Sequence, residues 1–289
     1  TTSRYKKAFC YLVCTMQVGD QVATVDLRLY LRQKTVRRLN RQRPKEKRLP
    51  FQSKYRLARQ ILEALRPLLP ADWKIVVQFD SWYASAKLIK YCRRHGWHVT
   101  CGLKHNRLLD GKQIEAHAQE LRHKWYQRIV VTTTDGDKNS YFVQQRGRLA
   151  DVPHDVCVYF SKRHPRAEAL AYFMSTDVSC STQMVLQGYS WRWSCEVVNF
   201  YLKTQLGLAD FRVQSYEAVD RYMVVVHLAW AYVEQRFARE RSAQIQTYGD
   251  IIRQHRDEHA VDWLTGALAM VLDTGDIDQV LQRFLRLEA

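Results

Sequence analysis

The chain has 289 residues, 46% of them apolar and 12% aromatic, and carries a formal charge of +16. That length and apolar share supply the core of one large domain or two ordinary ones and exclude global disorder. The basic excess runs along the whole chain, so it points to a broad positive surface. Nucleic acid is the partner that most often explains such a surface, an anionic membrane is the next, and plain solubility is the third explanation.

No apolar run, including that around Met223–Val233, is long enough to span a bilayer, so no membrane partner is expected, and the start of the chain lacks a signal-peptide core. Seven cysteines (Cys10, Cys14, Cys92, Cys101, Cys157, Cys180 and Cys195) form no CxxC pair and are odd in number. They indicate neither a zinc site nor a disulfide framework and read as reduced thiols of a cytoplasmic protein.

Taken in order, residues 5–18 are rich in aromatic and β-forming side chains and read as a strand. Gly19-Asp20 turns the chain, and residues 21–33 return with Val25, Leu27, Leu29 and Leu31 alternating with Asp26, Arg28 and Tyr30. Lys34–Pro50 is strongly basic, holds two prolines and reads as a loop that becomes ordered on a phosphate backbone. Ser53 introduces a helix that runs to about Leu69. Trp73–Phe79 is a nearly continuous apolar strand, which predicts a central position buried on both faces. It ends on Asp80, followed by Ser81-Trp82-Tyr83 and a helix from Ser85 to His95. A carboxylate at the carboxyl end of such a strand is where open α/β sheets place their chemistry; the competing reading has it cap the next helix, for which Ser85 is better suited. His98–Leu103 is the next strand and leads into Lys104-His105-Asn106-Arg107.

From Asp110 to about Met174 the texture becomes β-rich, with strands around 125–134, 141–145, 156–160 and 169–175. Helix returns after Ser181, and a long apolar helix spans about Tyr216–Arg239, ahead of an amphipathic remainder from Ser242 to Ala289.

The stretch Tyr189–Lys203 contains no Pro or Gly and reads as one helix of about four turns. Tyr189, Arg192, Glu196, Asn199 and Lys203 follow at steps of three, four, three and four and share a face, one carboxylate between two cations. The other residues, Trp191, Trp193, Val197, Val198, Phe200 and Leu202, read as buried. Such a stripe points into a site or lies in a solvated groove, with Arg192 and Glu196 as a plain surface pair.

At these residues the chain resembles the DDE transposases of bacterial insertion sequences, in the subgroup with a Y-(2)-R-(3)-E-(6)-K signature: Tyr189, Arg192, Glu196 and Lys203 match it without a gap. Asp80-Ser81-Trp82-Tyr83, with the helix, strand and Lys104–Arg107 that follow, resembles the segment around the family's second acidic residue. The resemblance implies an α/β, RNase H-like catalytic core (1–109 and 176–240) interrupted by a β-rich insertion (110–175) and followed by a helical C-terminal region (241–289). It implies Asp80 and Glu196 as catalytic residues and ligands of two Mg2+ ions about 4 Å apart, with Mn2+ able to substitute. Tyr189, Arg192, Lys203, Lys104 and Arg107 become DNA-binding residues, the terminal inverted repeats and target DNA the partners, and a homodimer the DNA-bound state in a bacterial cytoplasm. Trp125 is a candidate to receive a flipped base, against the simpler reading of a buried Trp.

The family's first Asp lies on a strand before the hairpin, and the chain begins too late to contain it. Asp20 sits in a turn and Asp26 in mid-strand, neither in the expected context. The expectation is therefore a truncated or altered transposase that cuts DNA poorly. The alternatives are a catalytically inactive, transposase-derived DNA-binding protein and another RNase H-like nuclease.

Overall fold

The computed structural model describes residues 10–121, 124–133, 136–208, 210 and 215–285. A hairpin of β1 (Cys10–Val18) and β2 (Gln21–Tyr30) comes first, turned by Gly19 at φ +58°, a backbone conformation that costs an L side chain strain. Residues 5–9 of the expected first strand lie outside the described residues. The basic stretch is not a loop throughout. It contains α1 (Gln33–Asn40) and a 3-10 turn at Lys45–Lys47, with Val36 anchoring the helix in the core.

Next come α2 (Lys54–Leu65), β3 (Val76–Phe79), α3 (Ala86–Arg94), β4 (His98–Gly102), the two-residue strands β5 (Leu108–Leu109) and β6 (Lys112–Gln113), and α4 (Ile114–Leu121). Ser53 and Ser85 cap α2 and α3, each hydroxyl accepting a backbone N–H three residues on, which leaves Asp80 free of that duty. The chain continues through β7 (Gln127–Thr133), β8 (Gly136–Arg148), β9 (Asp155–Lys162), β10 (Ala171–Ser175), α5 (Thr182–Ser190), a 3-10 turn (Trp191–Trp193) and α6 (Ser194–Thr204). Three further helices, α7 (Tyr216–Glu240), α8 (Tyr248–Thr274) and α9 (Ile277–Leu285), make the C-terminal region.

Six strands form one mixed sheet in the order β3-β4-β10-β9-β8-β7, with β3 and β4 parallel and the other pairs antiparallel. The β-rich stretch therefore extends the sheet begun by β3 and β4. The expectation that Trp73–Phe79 is central is corrected: β3 is an edge of this sheet, and Trp73 and Val76 are exposed. The strand buried on both faces is β9. Its Val156, Val158 and Phe160 join the cluster under α3 with Ile89, Cys92, Val99, Cys101 and Met174, whereas Cys157 and Tyr159 pack with Val185 and Leu186 of α5. Side chains alternate across a strand, so one eight-residue segment serves both layers.

The chain divides into two compact units, one from residues up to Cys14 with Asp26–Glu196, the other from Thr15–Val25 with Val197 onward. In the second unit Glu234 is buried and accepts from the Thr24 N–H (2.8 Å), the Thr24 hydroxyl (2.8 Å) and Trp230 Nε1 (2.7 Å). Trp230 is fully buried and stacks on Tyr201 at 5.6 Å. No helix among the described residues is long and apolar enough to cross a membrane.

Candidate active site

The carboxyl ends of β3 and β4 carry the first half of the site. Phe79 pairs with Cys101, both buried, and the chain emerges at Asp80, which is exposed. Asp80 Oδ1 accepts the Trp82 N–H at 2.9 Å and its carbonyl accepts the Tyr83 N–H at 3.2 Å, so the carboxylate is held by the turn that follows the strand. Trp82 itself is 56% exposed, with the ammonium groups of Lys104 and Lys54 at 5.1 and 5.4 Å from its ring. Its carbonyl accepts the Tyr55 hydroxyl at 2.9 Å. Lys104 is thus brought to the Asp80 turn, as the sequence order suggested.

The second half comes from the end of α5 and the start of α6. Tyr189 packs on Phe173 at 4.7 Å. Gly102 lets its hydroxyl in: a Cβ at that position would stand 3.3 Å from Tyr189 Oη and 3.1 Å from the Ser81 nitrogen. Burial pushes the Tyr189 phenol up, Arg192 opposes this, and the negative charge of Asp80 adds to it. Arg192 lies 5.6 Å from the Tyr189 ring and 3.4 Å from Glu196 Oε1. A continuous set of neighbours therefore runs from Lys104 through Trp82 and Asp80 to Tyr189, Arg192 and Glu196.

Tyr11, at the base of the hairpin, lies near Glu196, and Tyr83 lies near both Asp80 and Cys10. Burial pushes Tyr11 up to about 12, with Cys10 and Glu196 reinforcing it, and burial raises Tyr83, with Asp80 and Cys10 reinforcing that. Among the described residues, no three His, Cys, Asp or Glu side chains gather to hold a metal ion. Lys203 is exposed in the last turn of α6, in the second unit.

Arg107 differs from a surface cation. Its Nε and Nη2 are buried with no hydrogen-bond partner among the described residues, and so is Nε of Arg192. Arg107 also lies near the buried Cys101, whose thiol burial pushes up, Arg107 lowers and Asp80 raises. Composition and spacing gave no sign of these orphaned donors.

Three expectations need correction. Tyr189–Lys203 is not one regular helix, because the 3-10 turn at Trp191–Trp193 separates α5 from α6. That turn advances side chains by about 120° per residue instead of 100°, which breaks the register assumed for a single buried face. Trp191, Trp193 and Phe200 are consequently exposed, and only Val198 and Leu202 of the stretch are fully buried. Trp125 is 88% exposed, against the simpler reading of a core tryptophan.

Among solved structures, the chain is similar to the piggyBac transposase synaptic complex with hairpin DNA, at 12% identity and a TM-score of 0.42, over 85% of this chain and 50% of that one. The chain thus spans about half the length of that transposase. No curated protein matches it in sequence. The family model of the transposase DDE domain matches residues 52–232, a span that holds Asp80, Lys104, Arg107, Tyr189, Arg192, Glu196 and Lys203. That match covers more than half of the sequence, and the chain belongs to the transposase DDE domain family.

Proposed function

We propose that this chain is the core of a DNA transposase that binds transposon ends and cuts and transfers DNA strands at Asp80 and Glu196. The supporting observation is the cluster of Tyr189, Arg192 and Glu196, with Arg192 3.4 Å from Glu196, inside the span matched by the transposase DDE domain model. A phosphodiester oxygen is an acceptor whose charge suits a guanidinium held beside a carboxylate, as Arg192 is beside Glu196. Lys104 adds a point charge for a further phosphate, and the Tyr189 hydroxyl a hydrogen bond; Lys203, in the second unit, is assigned to DNA by the signature spacing alone.

Asp80 and Glu196 are hard oxygen donors and both are exposed, which suits Mg2+, an ion bound through one or two carboxylates together with water and substrate phosphates. When bound, two such ions supply polarisation of the phosphodiester and activation of the attacking oxygen. The chain's own groups orient the DNA: Arg192 holds Glu196 from one side, and the Asp80 turn fixes the other carboxylate. Pairing two ends requires at least a dimer on DNA.

A second reading, a transposase-derived DNA-binding protein that no longer cuts, is favoured by the absence of a three-group metal site among the described residues. Duplex binding and Mg2+-dependent strand cleavage of the wild type, Glu196→Gln and Arg192→Ala separate the two. Catalytic use predicts that Glu196→Gln keeps binding and loses cleavage, while Arg192→Ala weakens binding to end DNA. Duplex binding without cleavage, indifferent to Glu196→Gln, supports the second reading, and a wild type that binds no duplex overturns both.

A further inference from the structure

We infer that residues 37–48 form a ready-made saddle for the phosphate backbone of double-stranded DNA of any sequence. The inference rests on the transposase reading and assigns it a surface for DNA that carries no recognition sequence.

The saddle is closed by one side chain. Asn40 Nδ2 donates to the Leu49 carbonyl and Asn40 Oδ1 accepts the Leu49 N–H, both at 2.8 Å, so a single amide at the end of α1 closes the loop that runs on to Leu49. Inside the clasp, Lys47 N–H donates to the Pro44 carbonyl at 3.0 Å and Arg43 Nη1 to the Lys47 carbonyl at 3.3 Å. The segment is therefore ordered without a ligand, unlike a tail that folds on binding.

Its outer surface is cationic. Arg37, Arg38, Arg41, Lys45, Lys47 and Arg48 are all exposed, and none is ion-paired among the described residues. Glu46 is the one acid between them. Holding like charges in an ordered arch is unfavourable in isolation and becomes favourable against a polyanion. Duplex DNA presents a charge about every 1.7 Å along its axis and releases counterions when cations replace them. A membrane surface fits less well, because Leu39, the one large apolar side chain of residues 37–48, is half-buried and does not project to insert between lipids.

Sequence indifference follows if the arch's cations meet phosphates and not base edges. The Asn40 amide, engaged at both ends, is not available to read a base edge. Phosphate contacts position DNA without reading it. The arch also leads directly into the first turn of α2, where Lys54 and Tyr55 contact Trp82 of the Asp80 turn. DNA lying on the arch therefore continues toward the candidate active site.

The test is fluorescence anisotropy with two duplexes of unrelated sequence across a KCl titration. Replacing Arg41, Lys45, Lys47 and Arg48 together by Ala should lower the slope of log affinity against log salt by about 3.6, equally for both duplexes. Asn40→Ala keeps every charge, so it should keep the slope and weaken binding by roughly threefold to tenfold. Thermal melting of both variants confirms that they fold. An unchanged slope in the four-residue variant overturns the saddle while leaving the transposase reading intact. Loss on one duplex alone overturns its indifference to sequence. Loss of binding to phosphatidylserine vesicles with duplex binding preserved overturns the choice of partner. A wild type that binds neither duplex removes both this inference and the reading beneath it.

Discussion

Arg192 Nη1 and Glu196 Oε1 lie 3.4 Å apart, the arginine side chain 23% exposed and the carboxylate 46% exposed. A pair this accessible contributes little to folding, because water screens it and two long side chains must be ordered to make it. Arg192→Ala should therefore change the unfolding free energy by less than about 1 kcal/mol. The same change should weaken duplex binding by roughly tenfold, through loss of a charge-assisted contact to phosphate. Denaturant titration and anisotropy on one preparation check both halves. A large stability loss with intact binding would make the pair structural.

Gly102 controls how closely Tyr189 approaches the Asp80 turn. Gly102→Ala places a Cβ 3.1 Å from a backbone nitrogen and 3.3 Å from the Tyr189 hydroxyl, so the tyrosine must give way by a few tenths of an ångström. DNA affinity should fall by about threefold to tenfold in the wild-type background and change far less when Tyr189 is already Ala. A double-mutant cycle measures the coupling, and additive effects would show that Gly102 acts through something else.

Asp177 supplies an acid-sensitive anchor. It is buried at the end of β10, with Lys74 Nζ at 2.6 Å and the Ser179 hydroxyl at 2.7 Å. Burial pushes its carboxyl up, but Lys74, Ser179 and the nearby His98 outweigh that and hold it well below the usual carboxylate range. A depressed folded-state pKa contributes stability that is present above the unfolded value near 3.8 and lost as pH falls through the folded one. Asp177→Asn should cost about 1–3 kcal/mol at neutral pH and flatten the loss of stability below about pH 4. Melting temperatures from pH 2 to pH 7 test it.

Glu234 has the opposite sign. Burial raises its pKa, and hydrogen bonds from Thr24 and Trp230 only partly offset this. The stability linked to that rise is fully present below the unfolded value near 4.5 and is lost as pH climbs through the folded pKa. Glu234→Ala leaves the Thr24 and Trp230 donors unanswered and should cost about 2–4 kcal/mol at neutral pH. Glu234→Gln should remove the pH-dependent part and retain some of the bonding. An alanine variant as stable as the wild type would show that water replaces the carboxylate.

Much of the framework was legible because it rests on local chemistry. The Gly19-Asp20 turn, the serine caps at 53 and 85, and the spacing of Tyr189, Arg192 and Glu196 are short-range signals, and each marks a feature of the fold. What escaped depended on distant partners. Whether Val76–Phe79 is central is decided by which strands pair with it, and its apolar sequence matches that of β9, which is central. The clasp of Asn40 on Leu49 joins residues in a stretch whose charge and prolines masked any helical signal. The orphaned donors of Arg107 are a property of packing and leave no trace in spacing.

The short 3-10 turn at Trp191–Trp193 joins the rod that carries Tyr189 to the rod that carries Glu196. Rewinding those three residues to α geometry would swivel one rod against the other by about 60° and shorten the joint by about 1.5 Å. A ligand that grips the tyrosine end and prefers one winding would thereby re-aim the glutamate. The winding of those three residues thus sets the angle at which the carboxylate is presented relative to the tyrosine.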